Sequence, residues 1–130
     1  MRWKLALVVM WSSLLCGSCA SHAGQQGSGL PAVLHGVWRS NVDSCKADEE
    51  VDGDGWVDIR ASDVHGYERN SRVLSVASIS DTPQAWKVRL RHDDQGDISD
   101  GDAIFVVTSQ DQGRLVVIDA STYQAYIRCD

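Results

Sequence analysis

The feature that most constrains the fold is a strict alternation of apolar and charged residues in one short segment. Between Ala85 and Arg91 the two kinds alternate as Trp86, Val88 and Leu90 on one side and Lys87, Arg89 and Arg91 on the other. Successive side chains of a β-strand point to opposite faces, so this segment is predicted to be a half-buried antiparallel strand. Its cations are predicted to face solvent and to pair with acids of a neighbouring strand, rather than to bind an anion.

Other short segments also favour strands, and none shows the pattern of a long helix. These segments are Val37–Arg39, Trp56–Arg60, Val73–Ile79, Ala103–Thr108, Arg114–Asp119 and Thr122–Arg128. Within the third, alternation places Val73 and Ile79 on one face and Val76 on the other. Only Asn41–Glu50 suits a helical turn. The regular spacing predicts a mainly β domain, a small antiparallel barrel or sandwich of about seven strands with at most one short helix.

The N-terminal segment has the pattern of an export signal. Arg2 and Lys4 precede an apolar run from Leu5 to Leu15, which is shorter than the about 20 residues of a membrane-spanning helix. Small residues that end at Ala23 provide a cleavage site. We therefore predict three parts, which are a signal peptide at 1–23, a flexible linker at 24–31 and a single β domain at 32–130.

Lipoprotein processing at Cys19 is the alternative to simple cleavage. Gly17 and Ser18 precede this cysteine, and a Gly/Ser/Gln-rich stretch of the kind that forms flexible tethers follows it. The sequence thus predicts a periplasmic or cell-envelope protein that is either soluble or held to a membrane through a lipid on Cys19.

After removal of the signal, Cys45 and Cys129 are the only cysteines left. An exported chain meets an oxidising compartment, which predicts a disulfide between them. The two residues lack the short spacings of a zinc site.

Composition excludes several classes of function. The chain has 130 residues, 18 Asp and Glu against 12 Lys and Arg, and a net charge of -6. It is shorter than a Rossmann or barrel enzyme, and too acidic for a protein whose main partner is nucleic acid. No nucleophile elbow, phosphate-binding loop or HExxH motif is present, so we predict a protein without enzymatic activity or a required cofactor.

The acidic segment 48–58 partly matches a calcium-binding loop. With Gly55 in the place of the loop's glycine, oxygen ligands fall on alternating positions, as Ca²⁺ requires. These candidate metal ligands are Glu50, Asp52, Asp54 and Asp58. The last ligand position holds Ala61 in place of a glutamate, and a solvated hairpin turn is the alternative interpretation.

A second acidic segment lies between residues 93 and 102. It holds the candidate partner-binding residues Asp93, Asp94, Asp97, Asp100 and Asp102 and no base. So many like charges predict an exposed loop. A more specific hypothesis is that this loop binds a basic partner surface or a metal.

The order of several short motifs carries a family resemblance. The motifs are Gly36-Val-Trp-Arg39, Cys45, Gly55-Trp-Val-Asp-Ile59, Gly66-Tyr-Glu68, Trp86-Lys-Val88, Gly96 and Tyr126-Ile-Arg-Cys129. From residue 36 to residue 129 the chain resembles a group of small exported proteins of Gram-negative bacteria that close on Tyr-x-Arg-Cys. The resemblance implies an export signal, a compact mostly β domain and a Cys45–Cys129 bridge. It also implies a second cysteine pair, whose positions are Ser71 and His92 in this chain.

A looser, architectural resemblance is to periplasmic lysozyme inhibitors, which are small exported β-barrels with a disulfide near the chain ends. Their Ser-Ala-Ser-Gly-x-x-Tyr motif is missing here. Together these observations predict a non-enzymatic envelope protein that acts as a binding or structural domain, with another envelope protein as its partner. The alternatives are an inhibitor or immunity protein that blocks a lysozyme-type hydrolase or a toxin through its acidic loop, and a calcium-binding envelope protein.

Overall fold

Antiparallel strands form almost all of the regular structure. The computed structural model describes residues 26–45, 55–108 and 113–129. Two short 3₁₀ helices, Ala32–Leu34 and Asp43–Cys45, are the only helical elements among these residues. The strands are β1 Gln26–Gly27, β2 Gly36–Arg39, β3 Trp56–Ile59, β4 Asp63–Gly66, β5 Arg69–Asp81, β6 Gln84–Asp94, β7 Asp97–Val107, β8 Arg114–Ile118 and β9 Tyr123–Arg128.

Eight of these strands close into a barrel. Each strand from β2 to β9 pairs with its neighbour in the order β5-β4-β3-β2-β9-β8-β7-β6, and β6 pairs back to β5. The two-residue β1 pairs with β5 outside this ring. The predicted mainly β antiparallel fold is confirmed, whereas the predicted number of about seven strands is corrected to eight. The missed strand is β4, whose sequence Asp63-Val-His-Gly66 has a single large apolar residue and so little alternation.

The alternation predicted for Ala85–Arg91 is confirmed in β6, which forms a long hairpin with β5. Trp86, Val88 and Leu90 are buried in the barrel, while the three cations that alternate with them are exposed. The alternation predicted for β5 is wrong, because a β-bulge lies between Val73 and Ser75. A bulge inserts one residue and reverses the facing of those that follow, so that Val73 and Val76 both point inward. Ile79 lies at a second register shift, between Ser78 and Ser80, and is exposed.

One end of the barrel is closed by the chain before β2. Leu30 and Leu34 are buried there, and the amide of Leu30 donates a hydrogen bond to the carbonyl of Ala61. The indole of Trp38 is fully buried and donates to the carbonyl of Leu34 at 2.9 Å. Leu30, within the range of the predicted linker, therefore packs against the barrel.

Arg128 joins this closing segment to the last strand. Its guanidinium lies 4.2 Å from the ring centroid of Trp38 and donates hydrogen bonds to the carbonyls of Val33 and His35. A cation above an indole face is stabilising, and a planar guanidinium can hold both carbonyls at the same time. This contact fixes the closed end of the barrel.

Cys45 and Cys129 form a disulfide, as predicted, with 5.4 Å between their Cα atoms and 84 residues between them in sequence. The bridge ties the segment after β2 to the end of β9. The predicted signal peptide and Cys19 lie outside the described residues. Among the residues that are described, no helix has the length and apolar character needed to cross a membrane.

Candidate binding cavity

The opposite end of the barrel is open and leads into a cavity of about 570 Å³. The turns β4–β5, β6–β7 and β8–β9 surround this opening, which we call the mouth. Inward-facing residues of five strands form an apolar floor below it. The floor consists of Val57, Val64, Leu90, Ala103, Phe105 and Val117.

Polar side chains lie in the cavity wall above this floor. Ser71 on β5 and His92 on β6 are directly opposite each other, and Ser71 Oγ lies 2.8 Å from His92 Nδ1. Ser71 is buried, with 5% of its surface exposed. These are the two positions that the family resemblance associates with a second cysteine pair.

His92 has room in the wall because Gly101 lies beside it on β7. A Cβ atom added to Gly101 would stand 3.1 Å from His92 Nε2, closer than most carbon contacts in proteins. Within the described part of the chain, Nε2 makes no hydrogen bond, and His92 lines the cavity. The wall thus presents one imidazole nitrogen that is held in place by Ser71 through the other.

Aromatic residues complete the wall toward the mouth. Trp56, Tyr67 and Tyr126 line the cavity together with Phe105 of the floor. The Tyr126 hydroxyl donates a hydrogen bond to the Gln124 side chain, which lies on the same strand. The cavity therefore combines aromatic faces with a few hydrogen-bonding groups, which is the usual make-up of a site for a small organic molecule.

Acidic residues outnumber basic ones among the charged groups of the mouth. Among the described residues, Glu68, Asp94 and Asp119 line it together with a single cation, Arg69. Arg69 Nε donates to Asp94 at 2.8 Å, which neutralises that carboxylate. Glu68 has a φ of 54°, in the left-handed region that few residues other than glycine adopt. Residues held in such conformations concentrate at functional sites.

Asp119 organises the turn between β8 and β9. One of its carboxylate oxygens accepts hydrogen bonds from the amides of Ser121 and Thr122, each at 2.8 Å, and from the Ser121 hydroxyl. The amide of Ser121 contributes most to holding the pKa of Asp119 below its usual value, while partial burial opposes this shift. Hydrogen bonds that favour the charged form have this effect.

The turn gives a prediction about pH. Because the pKa of Asp119 is lower in the folded protein, its contribution to stability is present above the unfolded value, about 4, and is lost as the pH falls through the folded value. We expect Asp119→Asn to lower the free energy of unfolding by about 0.5–1 kcal/mol at neutral pH and by less in acid. Urea unfolding between pH 7 and pH 2 measures this. Asp97→Asn is the control, because the Asp97 side chain makes no hydrogen bond within the described residues, and an equal change in both variants would contradict the prediction.

The acidic segment 93–102 belongs mostly to a hairpin rather than to a loop. Only Gln95 and Gly96 lie outside strands, and both have positive φ, as the two central residues of a type I′ turn do. The predicted exposed loop is thus corrected to the ends of β6 and β7. Two of its acids, Asp100 and Asp102, pair with cations of β6.

Three of the five acids in this segment form ion pairs. Asp94 pairs with Arg69, Arg91 binds Asp100 through two nitrogens at 2.8 and 3.1 Å, and Asp102 lies 3.2 Å from Lys87 and 3.8 Å from Arg89. The hydrogen bond from Arg91 contributes most to keeping the pKa of Asp100 below its usual value. Asp93 accepts a hydrogen bond from the amide of Gly96, and Asp97 is exposed. The prediction that cations on β6 pair with acids of the next strand is confirmed.

Only one of the four predicted calcium ligands is among the residues that the structure describes. Glu50, Asp52 and Asp54 lie outside the described residues. Asp58 lies on β3, where its carboxylate accepts hydrogen bonds from Arg60 at 2.8 and 3.1 Å. Within the described ranges, no group of three or more His, Cys, Asp or Glu side chains has the arrangement of a metal site.

Comparisons with protein-family models, with curated proteins and with solved structures found no match to the chain. The function is therefore argued from the cavity itself. Sequence patterns predicted the inward facing of Leu90, one residue of the floor, but did not identify the mouth. Ser71 and His92 stood out only through the family resemblance, and no sequence signal marked Glu68 or Asp119 as neighbours of the same opening.

Proposed function

We propose that the chain is an exported, non-enzymatic binding protein of the cell envelope, and that its barrel takes up a small organic molecule. The observation that carries the proposal is the cavity of about 570 Å³ with an apolar floor and a polar, open mouth. Small-molecule sites have volumes of roughly 300–1,000 Å³, and an eight-stranded barrel is just wide enough to hold one small ligand.

The arrangement of the wall supports binding rather than catalysis. Ser71 and His92 are within hydrogen-bond distance and both line the cavity, but among the described residues no carboxylate is hydrogen-bonded to the imidazole to orient it as a general base for the serine. The pair instead orients the imidazole toward the cavity. A role outside the cytoplasm is supported by the Cys45–Cys129 disulfide, because such bonds persist in oxidising compartments.

The proposal is tested by titration with 1-naphthalenemethanol, a neutral two-ring probe small enough for the cavity. We expect saturable binding in the micromolar to millimolar range, since a ligand of this size gains roughly 0.3–1 kcal/mol per non-hydrogen atom at best. Amide chemical shifts in nuclear magnetic resonance spectra should change at Val57, Ala103 and Val117 and not at the outward-facing Arg89. Failure of this probe and its charged analogues to saturate any cavity resonance would contradict the proposal.

A further inference from the structure

The charged and aromatic residues that line the cavity indicate the charge of the ligand. This inference rests on the function proposed above and deepens it. We propose that the barrel binds an organic cation, with an apolar body on the floor and a protonated nitrogen at the mouth.

The charges at the mouth favour a cation. Among the described residues that line the cavity, Glu68, Asp94 and Asp119 are opposed by one cation, Arg69. Arg69 pairs with Asp94 and its charge also acts on Asp119, so that three acids and one cation leave a net negative charge. A narrow opening with walls of low dielectric concentrates the field of such charges on whatever enters it.

The aromatic walls favour the same class of ligand. Trp56, Tyr67, Phe105 and Tyr126 line the cavity. The face of an aromatic ring carries partial negative charge and attracts ammonium groups within about 6 Å. Charge and aromatic lining are independent features of the site, and both favour a cation over a carboxylate.

Side chains next to the mouth can also accept hydrogen bonds from a ligand. His92 lies in the wall with Nε2 directed away from Ser71, and Gln124 and Thr122 line the same opening. A protonated amine offers only donors, so that amide and hydroxyl oxygens are suitable acceptors, and Nε2 of His92 is one in the tautomer whose Nδ1–H donates to Ser71.

Three probes with one ring system and different head groups test the inference. They are 1-naphthalenemethylamine, 1-naphthalenemethanol and 1-naphthoic acid, titrated at neutral pH and about 150 mM salt, where distant charges are screened. We expect the amine to bind about tenfold more tightly than the acid, with the alcohol between them. Equal affinities, or tighter binding of the acid, would overturn the inference and leave the proposed function standing, whereas no binding of any probe would overturn both.

A matched pair of charge reversals locates the effect. Glu68→Lys changes the charge at the mouth, and Asp81→Lys makes the same change in net charge at the opposite end of the barrel, where β5 meets β6. We expect Glu68→Lys to weaken binding of the amine about fivefold and to strengthen binding of the acid, because it cancels the net negative charge of the mouth. Asp81→Lys should leave each affinity within about twofold. Equal effects of the two variants would show that net charge alone acts, and would overturn the assignment of the mouth.

Discussion

Replacing both Cys45 and Cys129 with serine is expected to lower the free energy of unfolding by about 2–5 kcal/mol. The bridge closes a loop of 84 residues, and such a long loop has much conformational freedom in the unfolded chain that a covalent link removes. The expected loss is a large fraction of the total stability of a small domain, roughly 5–15 kcal/mol. Urea unfolding of the oxidised wild type and of the double variant measures the difference.

Reduced wild-type protein is the control for this pair of substitutions. If the loss comes from the missing link and not from the serine side chains, the reduced wild type and the double variant should unfold at the same urea concentration. A double variant as stable as the oxidised wild type would show that the bridge does not stabilise the domain.

Replacing Trp38 with alanine is expected to destabilise the domain by about 3–5 kcal/mol. The indole is fully buried and occupies the closed end of the barrel, where it contacts the guanidinium of Arg128. Its removal leaves a cavity, leaves the Leu34 carbonyl without its hydrogen bond, and deprives Arg128 of its aromatic partner. Urea unfolding followed by near-ultraviolet circular dichroism measures the loss.

Trp56 provides a matched control for this substitution. It lies at the mouth and is only partly buried, so Trp56→Ala removes the same side chain where less packing surrounds it. We expect a loss of about 1 kcal/mol there. Similar losses for the two variants would mean that the segment before β2 does not form the well-packed end that the structure shows.

The two ends of the barrel thus differ in what they contribute. Leu30, Leu34, Trp38 and Arg128 close one end with apolar packing and hydrogen bonds to carbonyls. The mouth instead holds Glu68 in a left-handed conformation and presents charged residues to solvent. Such a division, with a stable base and a less well packed opening, is typical of proteins that bind ligands at the end of a rigid barrel.

Alternation was sufficient to predict much of the fold. In β6 the pattern of Trp86, Val88 and Leu90 decided which face is buried, because each strand residue has only two faces to choose from. The same rule failed in β5 at the bulge near Leu74, because a bulge depends on pairing with the neighbouring strand rather than on the residue types themselves. β4 was missed because its burial comes from closure of the barrel, which local sequence does not encode.

Less of the candidate site could be predicted from the sequence. The acids of segment 93–102 stood out as a local cluster, yet their charges are largely balanced by Arg69 and by the cations of β6. The residues of the mouth come from turns that are far apart in the chain. Glu68 and Asp119 are neighbours of one opening only because the strands that carry them close into the same ring.

The proposed ligand lies inside the barrel, and a substitution that fills the cavity tests this position. Ala103 faces the cavity floor from β7, whereas the adjacent Ile104 faces outward and is only partly buried. Ala103→Phe should reduce the affinity for 1-naphthalenemethylamine at least about tenfold, and Ile104→Phe should leave it within about twofold. Circular dichroism of each variant would first establish that it is folded. Unchanged binding by folded Ala103→Phe protein, or equal losses in both variants, would contradict a site within the barrel.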